Sequence, residues 1–186
     1  NRAGERFTGN GDVLAFAYNN DVEINGIGFG HPPQADPGPV GPCISGLIDM
    51  RENGALDDGM VIEEGSIPSG LAPLLPAVMA GGARAFGIDT DFGLKDELDE
   101  AARQAMSLAL GAYHGAVHNT QTFLVMSHDG SDGRLSLQGD KLEVSWAGIA
   151  DRPIFKTIGE RLEKATRATG GTYTRNPLSS TLLGNN

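Results

Sequence analysis

A single cysteine, Cys43, stands in a chain of 186 residues. With no second thiol it forms no internal disulfide, and with no metal-ligating companion nearby it reads as a small buried hydrophobe. Basic residues are also scarce: 14 Lys and Arg against 24 Asp and Glu leave a formal charge of -10. That balance excludes nucleic acid and anionic membrane surfaces as partners, because both reward Lys and Arg. No apolar run approaches the roughly 20 residues that a membrane span requires. The chain opens on the polar NRAGERF, with neither a starting methionine nor a signal peptide, and so reads as a piece of a longer protein. That leaves its compartment, cytoplasmic or secreted, open. A dinucleotide fingerprint is missing too. FTGNGD precedes a strand instead of following one, and Gly26-Ile27-Gly28-Phe29-Gly30 runs straight into His31-Pro32-Pro33. The chain therefore carries no mononucleotide fold of its own for FAD or NAD.

What is abundant is glycine, at 27 residues, together with 10 prolines. That composition predicts many turns and irregular loops, and the length suits one domain over residues 1–186 with a real core. VLAFAY at 13–18 is a strand; 24–42 is a long loop; CISGLIDM at 43–50 is a second strand. TQTFLVMS at 120–127 is the clearest strand, and a turn at 128–133 leads into further strands at 134–137 and through Leu142, Val144 and Trp146. Residues 95–112 predict a helix with Leu98, Ala101, Ala105, Leu108 and Ala109 buried, and 152–168 a helix lined by Ile154, Ile158, Leu162 and Ala165. GGARAFGIDTDFGL after Ala80 reads as a surface connection. The whole predicts an α+β fold: a mixed, largely antiparallel sheet covered by helices on one face.

The stretch 58–80, DGMVIEEGSIPSGLAPLLPAVMA, places charge inside an apolar context. Met60, Val61 and Ile62 read as a buried strand with Glu63 and Glu64 at its end. Alternation lets only one of the two face the interior. A turn follows, and then Leu71, Leu74, Leu75 and Val78 give helical spacing, with Pro76 expected to kink or shorten the helix. A carboxylate held under apolar cover has its charged form disfavoured, which is how a general base is tuned. Two exposed strand-end charges are the plainer alternative.

Other constellations are weaker. His114 and His118 are four residues apart, but Gly115 and Val117 disfavour a helix there and no carboxylate completes a ligand set. Asp129 to Gly133 lacks the alternating acids and distal glutamate of a calcium loop, so it reads as a turn. No metal is expected. Ser66 with His114, His118 or His128 would make a hydrolase, but no GxSxG surrounds the serine.

Taken in order, GNGDVLAFAYNN, VIEEGSIPSG, HNTQTFLVMSHD, DGRL, LEVSW, a helix and GGTYTRNPL resemble the substrate-binding region of glucose-methanol-choline (GMC) oxidoreductases. The closest branch looks like the bacterial cholesterol oxidase-like enzymes, and the likeness runs from about Gly4 to Leu183. The resemblance implies an FAD-dependent alcohol oxidase or dehydrogenase acting on a small alcohol or sterol, with FAD held mainly by another domain of the same parent chain. No HPLGG-type histidine motif is present, so the isolated chain is expected to be inactive. Matching Pro68-Ser69-Gly70 to the family's turn places Glu63 at the position of the catalytic base and Val61 and Ile67 at substrate-lining positions. A slip of one residue exchanges Glu63 with Glu64. The Asn10-Gly11 turn matches one near the active-site end, and so stands as a cofactor-side contact. A freestanding lipid- or sterol-binding module is the alternative.

Overall fold

VLAFAY offers no polar residue to either side, so a strand built from it must be covered twice. The computed structural model, which describes residues 2–28, 44–52, 54–91 and 93–176, makes it a central strand, β2 (Val13–Tyr18). Before it lies β1 (Glu5–Phe7); after it come β3 (Ile27–Gly28), β4 (Leu47–Asp49), β5 (Met60–Gly65) and β6 (Ile67–Pro68). Helix α1 (Leu75–Phe86), β7 (Ile88–Asp89), α2 (Leu94–Leu110) and the short α3 (Gly115–His118) form the middle of the chain. Strands β8 (Gln121–Ser127), β9 (Gly133–Gln138) and β10 (Lys141–Ser145), helix α4 (Pro153–Arg167) and β11 (Thr172–Arg175) complete it.

Six strands form one sheet in the order β4-β5-β8-β2-β11-β7, antiparallel at every pairing. β1, β9 and β10 form a separate antiparallel sheet, and β3 pairs with β6 in parallel. On one face of the large sheet, Ala15 and Ala17 join Met60, Ile62, Phe123, Val125 and Tyr173 beneath Ile154, Ile158 and Leu162 of α4. Pro153 opens α4 in its first turn, where its missing N–H costs nothing. On the other face, Phe16 and Tyr18 pack with Ile27, Ile67, Leu75, Met79, Ala116 and Val117, contributed by β3, β6, α1 and α3. Helices therefore cover both faces, which corrects the one-sided layering expected from sequence.

Four further expectations change. Pro76 starts α1 instead of kinking it, because it falls in the first turn. The expected surface connection after Ala80 is in part the rest of α1, followed by the edge strand β7. Of the apolar residues expected to bury a helix face, Leu75 is buried, but Leu74 and Val78 are exposed and Leu71 sits in a short 3-10 turn, also exposed. Helix α2 forms where predicted, yet Leu98, Ala101, Ala105, Leu108 and Ala109 are all exposed and Ser107 alone is buried. Periodicity marks a face that could be buried; it does not supply the neighbour. α2 is held by polar contacts. Ser107 Oγ accepts from Val117 N–H at 2.9 Å and donates to His114 O, and Arg103 Nε donates to Asn19 Oδ1 at 2.8 Å. Cys43 and most of the loop 24–42 lie outside the described residues.

Candidate functional site

Strand β5 runs on to Gly65, so Glu63 and Glu64 lie within it and not beyond its end. Register then decides which glutamate faces where. Glu63 is opposite Leu124 on one side and Leu47 on the other; Leu124 is in turn opposite Leu14. Directly opposed residues share a face, so Glu63 stands in a row of three leucines. Val61 and Met126, also opposed, occupy the same face about 7 Å along the strands. Glu64 pairs with Phe123 and points to the α4 side, where Ser45 Oγ donates to its Oε2.

This face is half covered. Helix α1 closes over Phe16 and Tyr18, but beyond it Leu14 is 38% exposed, Leu47 61% and Met126 36%. Glu63 is 9% exposed over the whole residue, its carboxylate oxygens keep access to solvent, and among the described residues no hydrogen bond or ion pair engages them. Thr122, on the same face opposite Gly65, is 3% exposed, and its Oγ1 has no hydrogen-bond partner. A carboxylate at the open part of an apolar face and a buried hydroxyl without a partner beside it have the character of a binding site, the hydroxyl being costly to leave unpaired unless a ligand completes it.

The other predicted residues separate. Val61 lines a cleft of about 580 Å³ with Met126, Asn10 and His128 at the ends of β5 and β8. Glu63 is not among the residues lining that cleft. Ile67 is 6% exposed and packed with Ile27 and Phe16 in the core, so it has almost no surface left for a substrate; its expected lining role is corrected to packing.

The Asn10-Gly11 turn is also reassigned. Both residues have φ of 57°, and this left-handed pair aims the N–H groups of Gly9 and Gly11 at one anion while Asn10 N–H donates to Thr8 Oγ1 at 3.0 Å. The anion is part of the protein. Asp129 Oδ2 accepts from Gly9 N–H at 2.8 Å and Gly11 N–H at 3.0 Å, Thr8 Oγ1 lies 2.8 Å from both carboxylate oxygens, and Ser131 N–H donates to Oδ1 at 3.0 Å. Burial works to raise the pKa of Asp129; the Thr8 hydroxyl, then the N–H groups of Ser131, Gly11 and Gly9, outweigh it and hold the carboxyl below its usual range. The backbone donors of this turn are thus engaged within the chain, while the Asn10 side chain stays exposed. Asn10 O instead accepts from Ser127 N–H at 2.7 Å, which ties the turn to β8.

Sequence reasoning read Asp129 only as part of a turn, because all its partners except Ser131 N–H lie 118 to 121 residues away. The signal was present in Gly9-Asn10-Gly11, whose residues tolerate left-handed backbone. His118 Nε2 lies 3.0 Å from Glu23 Oε1, and His128 Nδ1 3.5 Å from Asp57 Oδ1, so neither histidine joins Glu63. Comparison with family models, with curated proteins and with solved structures finds no match for this chain.

Proposed function

We propose that this chain is the substrate-covering domain of an FAD-dependent alcohol oxidoreductase of the GMC type, in the branch that resembles cholesterol oxidase. The observation that carries this assignment is Glu63: largely covered, free of any protein hydrogen bond or ion pair among the described residues, and set among Leu14, Leu47 and Leu124 on a sheet face that one end leaves open. A flat apolar alcohol such as a sterol suits that surface, which offers hydrocarbon contact over its area and one carboxylate for orientation. Glu63 takes a carbon-bound proton when the substrate is a sterol, or polarises the hydroxyl when it is another alcohol. The flavin, when bound, accepts the hydride. The Asn10-Gly11 turn is filled by Asp129, so the flavin is held by the parent chain's other domain, and this chain alone is catalytically silent.

In the parent flavoprotein, Glu63→Gln is expected to lower turnover about 10²- to 10⁴-fold while leaving flavin absorbance unchanged. A parent protein that binds no flavin, or a variant that turns over normally, would overturn the assignment. Anaerobic mixing of the present chain with FAD and a sterol should leave the flavin oxidised; bleaching would refute its silence.

A second function, a freestanding lipid- or sterol-binding module, is favoured by the same exposed leucines and the 580 Å³ cleft beside them. Titration with a fluorescent sterol separates the two. Submicromolar binding by this chain alone supports a carrier, and weak binding supports an open half-site that needs its partner domain.

A further inference from the structure

Three carboxylates converge at the opposite edge of the large sheet. Oxygens of Asp89 in β7, Asp91 just beyond it and Glu100 in α2 all lie within 4.8 Å of one another. Among the described residues none of the three is paired with a Lys, Arg or His. Arg103 is committed to Asn19 Oδ1, Asn19 O and Asp21 Oδ1, and Arg84, which lines the same cleft as Asp89 and Glu100, makes no ion pair with any of the three. A fourth acid closes in from the loop after β2. A side chain at Gly170 would collide with both Asp21 Oδ2 and Asp91 Oδ2, and Gly170, at φ +63°, leaves that space clear.

Crowded acids alone would say little, since exposed acidic clusters are common. Two atoms nearby say more. Tyr18, 3% exposed, has a hydroxyl with no hydrogen-bond partner, and Glu100 Oε1 is likewise buried without one. Both residues line the same cleft of about 290 Å³ as Asp89. Tyr18 is opposite Thr172, and Thr172 opposite Asp89, so tyrosine and aspartate rise from one face of the sheet toward α2. Two buried oxygens without partners beside three carboxylates that form no ion pair give the oxygen-rich lining of a cation site.

We propose that Asp89, Asp91 and Glu100 bind a calcium ion that fastens α2 to the sheet edge. The all-oxygen donor set selects a hard cation over zinc or copper. Coordination geometry then discriminates: calcium accepts an irregular set of six to eight oxygens at about 2.3–2.6 Å, whereas magnesium demands a near-ideal octahedron at about 2.0–2.1 Å. Three carboxylates from a strand end, the residues after it and a helix, with oxygens within 4.8 Å of one another, suit the more tolerant ion. With three protein carboxylates and the remaining positions taken by water, the affinity belongs to the weak class, with Kd of about 10⁻⁴ M. The structural effect follows from how little else holds α2, of which Ser107 alone is buried.

The test is a melting curve of this chain with CaCl2 and with MgCl2, alongside terbium luminescence excited through tyrosine. Calcium is expected to raise Tm with half-effect near about 10⁻⁴ M, and magnesium far less. Bound terbium is expected to luminesce and to be displaced by calcium. Glu100→Gln and Asp89→Asn should abolish both signals, while Glu143→Gln on the exposed β9-β10 hairpin keeps them. Tyr18→Phe should keep the calcium shift and lose most of the luminescence. No calcium shift up to 10 mM (about a hundred times the expected Kd), or an equal shift in Glu100→Gln, would overturn the site.

Discussion

Asp129 and Glu63 are both buried acids near one end of the same sheet, at 2% and 9% exposure, yet the chain treats them in opposite ways. Asp129 is surrounded by donors: one hydroxyl and three backbone N–H groups converge on it. Glu63 is surrounded by leucines and has no donor among the described residues. The first arrangement costs the fold nothing and organises the turn before β2; the second costs stability and organises nothing. A buried charge that the protein satisfies is structure, and one it leaves unsatisfied is retained for something outside the chain. Burial alone does not distinguish them. The count of donors does.

The largest expected effect is at Asp129. Asp129→Ala leaves the Gly9, Gly11 and Ser131 N–H groups and the Thr8 hydroxyl without their acceptor, at a cost of about 3 kcal/mol in urea unfolding. Asp129→Asn keeps the shape but loses the charge, and should cost about half as much. Glu63→Leu goes the other way. Extending the row of Leu14, Leu47 and Leu124 removes an uncompensated carboxylate, so stability is expected to rise by about 1 kcal/mol while parent turnover is lost. If Glu63→Leu destabilises as much as Asp129→Ala, Glu63 is a structural acid too and the contrast fails.

Acid titration sharpens the same contrast. The pKa of Asp129 is lower folded than unfolded, so the unfolded chain binds the extra proton and stability falls as pH falls. That contribution is complete above the unfolded value of about 3.9 and disappears as pH drops through the folded value. Wild-type unfolding should therefore steepen below about pH 4, and Asp129→Asn should unfold with a shallower acid limb. An unchanged limb in the variant would show that other carboxylates carry acid sensitivity.

How much of this was legible in the sequence follows from the same distinction between local and distant partners. VLAFAY, TQTFLVMS and the Ile154-Ile158-Leu162 stripe declare themselves within a few residues, and all three became the elements they predict. Alternation in VIEEG said that only one glutamate could face inward; choosing Glu63 for the leucine face needed the register against Leu124, 61 positions away (124 − 63). Both-face coverage was written in the unbroken apolar run of β2 and was read too narrowly. The Asp129 nest and the Asp89-Asp91-Glu100 cluster join segments that no local pattern connects. The GMC resemblance supplied Glu63 as a candidate, yet it also placed Ile67 at the pocket and Asn10-Gly11 beside a cofactor, where the contacts show packing and an internal anion.

The smallest expected effect concerns α2, where the apolar stripe stays exposed and faces Ala77 and Ala80 of α1 only across an open cleft. Leu98 is 63% exposed and Leu108 57%, so neither contributes much burial to the fold of this chain. Leu98→Gln and Leu108→Gln should each change unfolding free energy by less than about 0.5 kcal/mol. Ile158→Ala, on the helix that does have a partner, should cost about 3 kcal/mol, because Ile158 is fully buried against the sheet. Both helices carry an apolar stripe at helical spacing, the stronger one on α4, so most of the gap between those numbers measures the neighbour and not the pattern. A loss at Leu98 approaching that at Ile158 would mean that α2 packs inward in solution, and with it that Glu100 sits in a different environment from the one assigned to calcium.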